Sequence, residues 1–177
     1  MNKVTRKTPL RRALRGDSAL LPLVADGLGA VKAADRNYFD NAIRSNFADS
    51  LELDEAVKRG HEQESRWDYL LGHEPSGEVI AVEPHSAKQD EINAVINKRV
   101  AARKQLRDHL RENARVTKWL WVASGKVHFA DTEKTKRLLD QNGIVFVGKR
   151  VTGKHLSVAL AADSRPAGNP RRSGKRK

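Results

Sequence analysis

Residues 66–85, Arg66-Trp-Asp-Tyr-Leu-Leu-Gly-His-Glu-Pro-Ser-Gly-Glu-Val-Ile-Ala-Val-Glu-Pro-His85, constrain this chain more than any other stretch. Two runs rich in apolar and β-branched residues flank Glu74-Pro75-Ser76-Gly77, which reads as a tight turn. A hairpin symmetric about that turn sets Gly72 against Val79, Leu70 against Ala81 and Asp68 against Glu83. Opposed residues of an antiparallel pair point to one side, which puts two carboxylates about 5 Å apart on the same face. Like charges so placed are resolved by a shared proton, a basic neighbour or a metal cation. Trp67, Tyr69 and Leu71 line one face of the first strand, and Leu70 and Gly72 share the other with Asp68. Since both faces are largely apolar, the hairpin belongs to a sheet covered on both sides.

The flanking segments supply the cover. Apolar residues from Leu20 to Phe47 recur at rough helical spacing, so residues 18–47 are expected to be helical, with Gly27 and Gly29 as the place where the run would break into two pieces. A short helix is expected from Asp54 to about Glu64, with Asp54 as N-cap. Downstream, Pro84 limits the second strand, and Ser86-Ala-Lys-Gln89 has the form of a capping box opening a long helix. Its core stripe is Ile92, Val95, Ile96, Val100, Leu106 and Leu110. Val116–Ala123 reads as a buried strand closed by Ser124-Gly125, with a further short strand at 127–129. A helix from Asp131 or Thr132 to Gln141 follows, stopped by Asn142-Gly143, and then a strand over 144–147. Helical crossovers between the later strands make them parallel. The expected fold is α/β, a mixed sheet of about four to five strands flanked by helices. Residues 17–163 would form one domain, with a helical part at 18–47 and a core at 50–150.

Charge is concentrated at the two ends. The net charge is +12, and residues 1–16 and 165–177 carry six basic residues each with no acid, leaving a neutral body. Residues 1–16 therefore read as a basic arm and 164–177 as a basic tail, both expected to stay disordered when free. Such arms suit a polyanion, and nucleic acid, DNA rather than RNA, is the expected partner. A nucleoprotein or a second copy of the chain is a further candidate partner. Candidate phosphate contacts are Arg11, Arg12, Arg103, Lys104, Arg107, Lys149, Arg150, Arg171 and Arg172. The chain lacks cysteine, which excludes disulfides and thiolate chemistry. No apolar run reaches membrane-spanning length, and the opening residues lack an apolar signal core, so a cytoplasmic protein without a membrane partner is expected. Neither a P-loop nor a zinc-type histidine spacing occurs. The three tryptophans lie in strand-like runs and read as core, while His61 and His73 read as surface.

Asp68, Glu83, His85 and Lys88 form the chemical constellation. Phosphodiester hydrolysis needs an activated water and charge relief on the phosphate, and two carboxylates holding Mg²⁺ or Mn²⁺ provide both. A hairpin with Asp in its first strand and Glu-x-basic ending its second, followed by helix and strand, resembles the PD-(D/E)xK nuclease superfamily. The resemblance spans residues 54–123 and extends toward 147. It implies a restriction-endonuclease-like core in which Asp68 and Glu83 bind the metal, with a helix acid, Glu64 or else Glu55 or Glu62, assisting. One position departs from the pattern: His85 stands where the family has lysine. Lys88, or Lys98 and Lys104 on the next helix, are candidate substitutes, and a catalytically inactive nucleic-acid-binding protein is the alternative. In a third reading Asp68 merely pairs with Arg66 or Arg150, and the two carboxyls point to opposite faces.

Overall fold

A computed structural model describes residues 7–128 and 133–158. Its centre is a mixed six-stranded sheet whose spatial order follows the chain, β1 to β6. The strands are β1 (Ala25–Asp26), β2 (Phe47–Glu52), β3 (Tyr69–His73), β4 (Glu78–Ala87), β5 (Val116–Val127) and β6 (Ile144–Phe146). The pairs β1–β2, β2–β3 and β3–β4 are antiparallel, whereas β4–β5 and β5–β6 are parallel. Among the described residues four helices accompany the sheet: α1 (Pro9–Ala13), α2 (Leu53–Val57), α3 (Ile92–Leu106) and α4 (Glu133–Gln141). The chain is thus of the α/β class, and the sheet exceeds the expected strand number because β1 and β2 extend it at the antiparallel edge.

The hairpin register is the expected one, with Leu70 opposite Ala81 and Gly72 opposite Val79. Side-chain alternation then divides the core. Leu70, Val79 and Ala81 pack with Trp119, Trp121 and the α3 residues Ile92, Val95, Ala102 and Leu106. Tyr69, Leu71, Ile80 and Val82 face the other way, against Val31, Phe39, Ile43 and Phe47. Both faces are therefore buried. The three tryptophans are core residues, with Trp67 edge-on to Trp119 at 5.1 Å between ring centroids. Trp67 joins the α3 side rather than the Tyr69–Leu71 face, because strand pairing with β4 begins only at Tyr69.

Residues 18–47 form no long helix. They hold β1 and three 3₁₀ turns, at Leu21–Leu23, Asp35–Tyr38 and Asn41–Asn46. Packing explains the difference: Leu20 and Val24 belong to the α3-side core, and Val31, Phe39 and Ile43 to the opposite one. One straight helix cannot reach both faces of a sheet, so the segment wraps around its edge.

The N-terminal segment is structured from residue 7. Leu10 and Leu14 are fully buried, and α1 is held by Asp49, itself 0% exposed. The Asp49 carboxylate accepts from Leu10 N (3.1 Å), Arg11 N (2.9 Å) and the Thr8 hydroxyl. A carboxylate on the first N–H groups of α1 does the work of an N-cap from a neighbouring strand. Its strand partner is Gly72, where a Cβ would stand 1.9 Å from Asp49 Oδ1 and 2.9 Å from Leu10 N. Only glycine leaves room for the clamp.

Three expected boundaries shift. Helix α2 stops at Val57, and Gly60, at φ +88°, turns the chain before Glu62 and Glu64. Asp54 lies inside α2 and does not cap it. Strand β4 runs through Pro84 to Ala87, so Ser86 is extended and no capping box forms; α3 begins after a 3₁₀ turn at Gln89–Glu91. Pro84 is tolerated because β3 pairing ends at Val82 and leaves one side of β4 open. Likewise Ser124-Gly125 does not end β5, since a register shift between His85 and Ala87 absorbs it. His73 is buried, its Nδ1 2.7 Å from Ser76 Oγ inside the turn, and burial lowers its pKa.

Candidate functional site

Asp68 and Glu83 lie one step beyond the last pair of the β3–β4 ladder, Tyr69 with Val82. By alternation they share the α3-side face with Leu70 and Ala81. Backbone contacts fix Asp68 from both directions. Its carbonyl accepts from Leu53 N (2.7 Å) at the start of α2, and its N–H donates to Glu83 Oε2 (2.9 Å). Glu83 is fully buried. The place coincides with a change in the sheet: β4 leaves its antiparallel partner and continues beside β5 alone.

Lys98, two turns into α3, brings its ammonium between the acids. Nζ donates to Glu83 Oε1 in a short hydrogen bond and lies 3.8 Å from Asp68 Oδ1. A basic neighbour thus answers part of the like-charge problem. The rest persists at Asp68, whose carboxyl oxygens accept no hydrogen bond among the described residues. Burial, and then the charge of Glu83, push its pKa up to about 7 against the partial relief from Lys98. Asp54 and Asp35 add to the negative field, and Asp35 also accepts the Tyr69 hydroxyl.

His85 follows Glu83 on the same face. Its Nδ1 lies 3.4 Å from Glu83 Oε1 and its Nε2 2.9 Å from Glu91 Oε2. Hydrogen bonding to Glu83, supported by Glu91, raises the imidazole pKa over the opposing effect of burial. Both ring nitrogens are engaged, so the ring braces Glu83.

The remaining candidates disperse. Lys88 is exposed and precedes the 3₁₀ turn, with no contact to either acid. Glu64 is held by His61 Nδ1 (2.9 Å) and Gln105 Nε2 (3.0 Å), and these contacts lower its pKa. Glu62 accepts from Gly60 N, and Glu55 faces Lys58. No helix acid therefore joins the pair. Among the described residues, no group of three or more His, Asp and Glu side chains is placed to hold a metal. Arg66 engages Asp54 Oδ1 at 2.7 Å, so it does not neutralise Asp68.

The basic candidates also separate by place. Arg11 is largely buried and spent on Asp26 (2.7 Å) and the Val24 carbonyl (2.9 Å). Arg12, Arg103, Lys104, Arg107, Lys149 and Arg150 are exposed. Lys149 and Arg150 follow Gly148, whose carbonyl accepts from Ala123 N, and Ala123 pairs with His85, so β5 lies between that turn and the strand that carries Glu83. Arg171 and Arg172 lie outside the described residues.

Lys98 was legible only as one of several possible substitutes, and Glu91 and Asp35 carried no sequence signal. Glu91 reaches His85 through the 3₁₀ turn, and Asp35 reaches Tyr69 through the wrapped N-terminal segment. No helix among the described residues is long and apolar enough to cross a membrane. Compared with known proteins, the chain matches no family model, no curated protein and no solved structure.

Proposed function

We propose that the chain is a divalent-metal-dependent phosphodiesterase of PD-(D/E)xK type acting on nucleic acid. One observation carries this reading: Asp68 and Glu83 share one face at the end of the β3–β4 ladder, with the Lys98 ammonium reaching both. The antiparallel β2–β3–β4 run followed by an α3 crossover to parallel β5 agrees with a restriction-endonuclease-like core. Lys98 would then take the part of the lysine that His85 replaces, presented from a helix instead of the strand.

The donor set suits Mg²⁺ or Mn²⁺. Both donors are hard carboxylates, and Asp68 is half-buried, accepts no hydrogen bond among the described residues and lies in the negative field of Glu83, which Lys98 only partly offsets. Asp68 and Glu83 would hold the ion, which would supply charge relief on the phosphate and a bound water more acidic than bulk water. Lys98 Nζ, a cation in a partly desolvated site, would donate to a phosphoryl oxygen as charge develops there. His85, tied to Glu91, keeps Glu83 Oε1 aimed at the same space. The Asp68 amide holds the other Glu83 oxygen.

A second reading has its own support. The Lys98–Glu83–His85–Glu91 network is internally satisfied, and among the described residues no helix acid joins Asp68 and Glu83 as a third metal donor, as befits a nuclease-like protein that binds nucleic acid without cutting. Incubation of the full chain with labelled DNA and RNA in Mg²⁺ or Mn²⁺ separates the two. Cleavage that disappears in Asp68→Asn is the expected result, and an Asp68→Asn protein that cuts as well as its parent removes the site assignment.

A further inference from the structure

Away from the acid pair, the C-terminal half of α3 and the start of β5 enclose a cavity of about 360 Å³. Its wall carries Arg99, Arg103, Arg107 and Arg115, over a floor that includes Leu106 and Trp119. No aspartate or glutamate lines it, and none of the four arginines makes an ion pair among the described residues. Arg99 is the deepest of them. Its guanidinium lies over the Trp119 ring, 5.4 Å from the centroid, and its Nε is buried without a hydrogen-bond partner. Burial and the neighbouring charge of Arg103 both lower its pKa. A desolvated guanidinium with an idle donor, surrounded by like charges, is stabilised by an incoming anion and by little else.

Geometry selects among anions. Arg99, Arg103 and Arg107 are spaced four residues apart, so their Cα atoms rise about 6 Å at each step along the helix, with Arg107 at its C-cap. Arg103 and Arg107 also line a second, open concavity with Val100 and Lys104, which continues the basic surface outward. A single small anion would satisfy one of these arginines and leave the others repelling. A row of phosphates satisfies the series.

We propose that this cleft binds consecutive backbone phosphates of one nucleic-acid strand, with Arg99 as the deep seat and Arg103 and Arg107 holding the phosphates beyond. The proposal rests on the nucleic-acid reading given above but not on cleavage. Phosphate contacts of this kind fix the register of a strand without reading its bases.

The test is binding of a fluorescent single-stranded oligonucleotide without terminal phosphates to the full chain, titrated with salt in the absence of divalent cations. The parent is compared with Arg103→Gln/Arg107→Gln, both exposed positions, and with a control, Arg59→Gln/Lys126→Gln, which removes equal charge from exposed sites elsewhere. Loss of two phosphate contacts should flatten the slope of log K against log salt by about 1.4, with affinity at low salt falling about tenfold or more, while the control keeps the parent slope. An unchanged slope in the cleft variant, or an equal change in the control, overturns the proposal. Binding that requires a 5′-phosphate, or that inorganic phosphate displaces at equal concentration, assigns the cleft to a phosphomonoester and overturns it as well. Failure to cleave under any divalent cation would remove the nuclease reading and leave this one intact.

Discussion

The amide N–H of Asp68 donates to Glu83 Oε2 across 2.9 Å, so the two acids are joined through backbone before any cation arrives. Glu83 therefore has a structural duty as well as a chemical one. Its other oxygen takes the Lys98 ammonium, and the whole side chain is buried. Glu83→Ala strands an amide and an ammonium in a desolvated pocket and should cost about 3–5 kcal/mol. Glu83→Gln keeps an acceptor for the amide and should cost less than half as much while abolishing cleavage. Urea unfolding followed by the fluorescence of the buried tryptophans measures both. Equal loss in the two variants would show that charge, and not the hydrogen bond, dominates.

Asp68 makes stability depend on pH in an unusual direction for a carboxylate. Its folded pKa, about 7, is above the ordinary 3.8, so between these values the folded chain holds more protons than the unfolded one. Stability from this group is fully present below about pH 4 and is lost as pH rises through 7. Three pKa units set a ceiling of about 4 kcal/mol, reduced because the side chain is 31% exposed. Asp68→Asn should remove this dependence and raise the urea midpoint at pH 8 above that of the parent. A variant with the parent's pH profile would refute the raised pKa. A higher midpoint in Asp68→Asn would make the site a case of function maintained against stability.

Lys98→Met should leave nucleic-acid affinity near that of the parent and reduce cleavage about 100-fold or more, as loss of one preorganised charge donor does. It should also raise the Asp68 pKa further, because Lys98 is the cation that lowers it. Single-turnover cleavage beside anisotropy binding separates the two effects. A Lys98→Met protein with full activity would point back to Lys88.

The N-terminal clamp is open to a simpler trial. Asp49→Ala removes the acceptor that the amides of Leu10 and Arg11 share with the Thr8 hydroxyl, at a cost of about 3 kcal/mol or more. Gly72→Ala should do comparable damage, since its Cβ would overlap Asp49 Oδ1. Thermal unfolding of both variants tests this, and a Gly72→Ala protein as stable as the parent would mean that α1 can detach without cost.

The hairpin and the parallel half of the sheet were legible because local signals there agree. Turn residues fix the register of 69–82, and alternation along 79–83 and 119–123 fixes the faces. Asn142-Gly143 likewise marked the end of α4. The N-terminal third was not legible, since the spacing of Leu20, Val24, Val31 and Phe39 mimics a helix although the residues serve opposite faces. Ser86–Gln89 carries a sound capping signal that lost to ladder bonds with β5. At the site, sequence alone placed Asp68 opposite Glu83 because register is a local property. It could not choose among Lys88, Lys98 and Lys104, because that choice depends on where α3 crosses the sheet.

The spatial order of the strands repeats their order along the chain without exception. Each new strand can therefore add to an edge that already exists, and no later strand has to insert between two earlier ones. A chain emerging from the ribosome could complete the β2–β3–β4 meander, with Asp68 and Glu83 already in register, before α3 delivers Lys98. Until then the acid pair would stand without its cation. Nascent chains that have emerged as far as residue 87 but not yet to Lys98 should accordingly be the most acid-favoured species on the folding path.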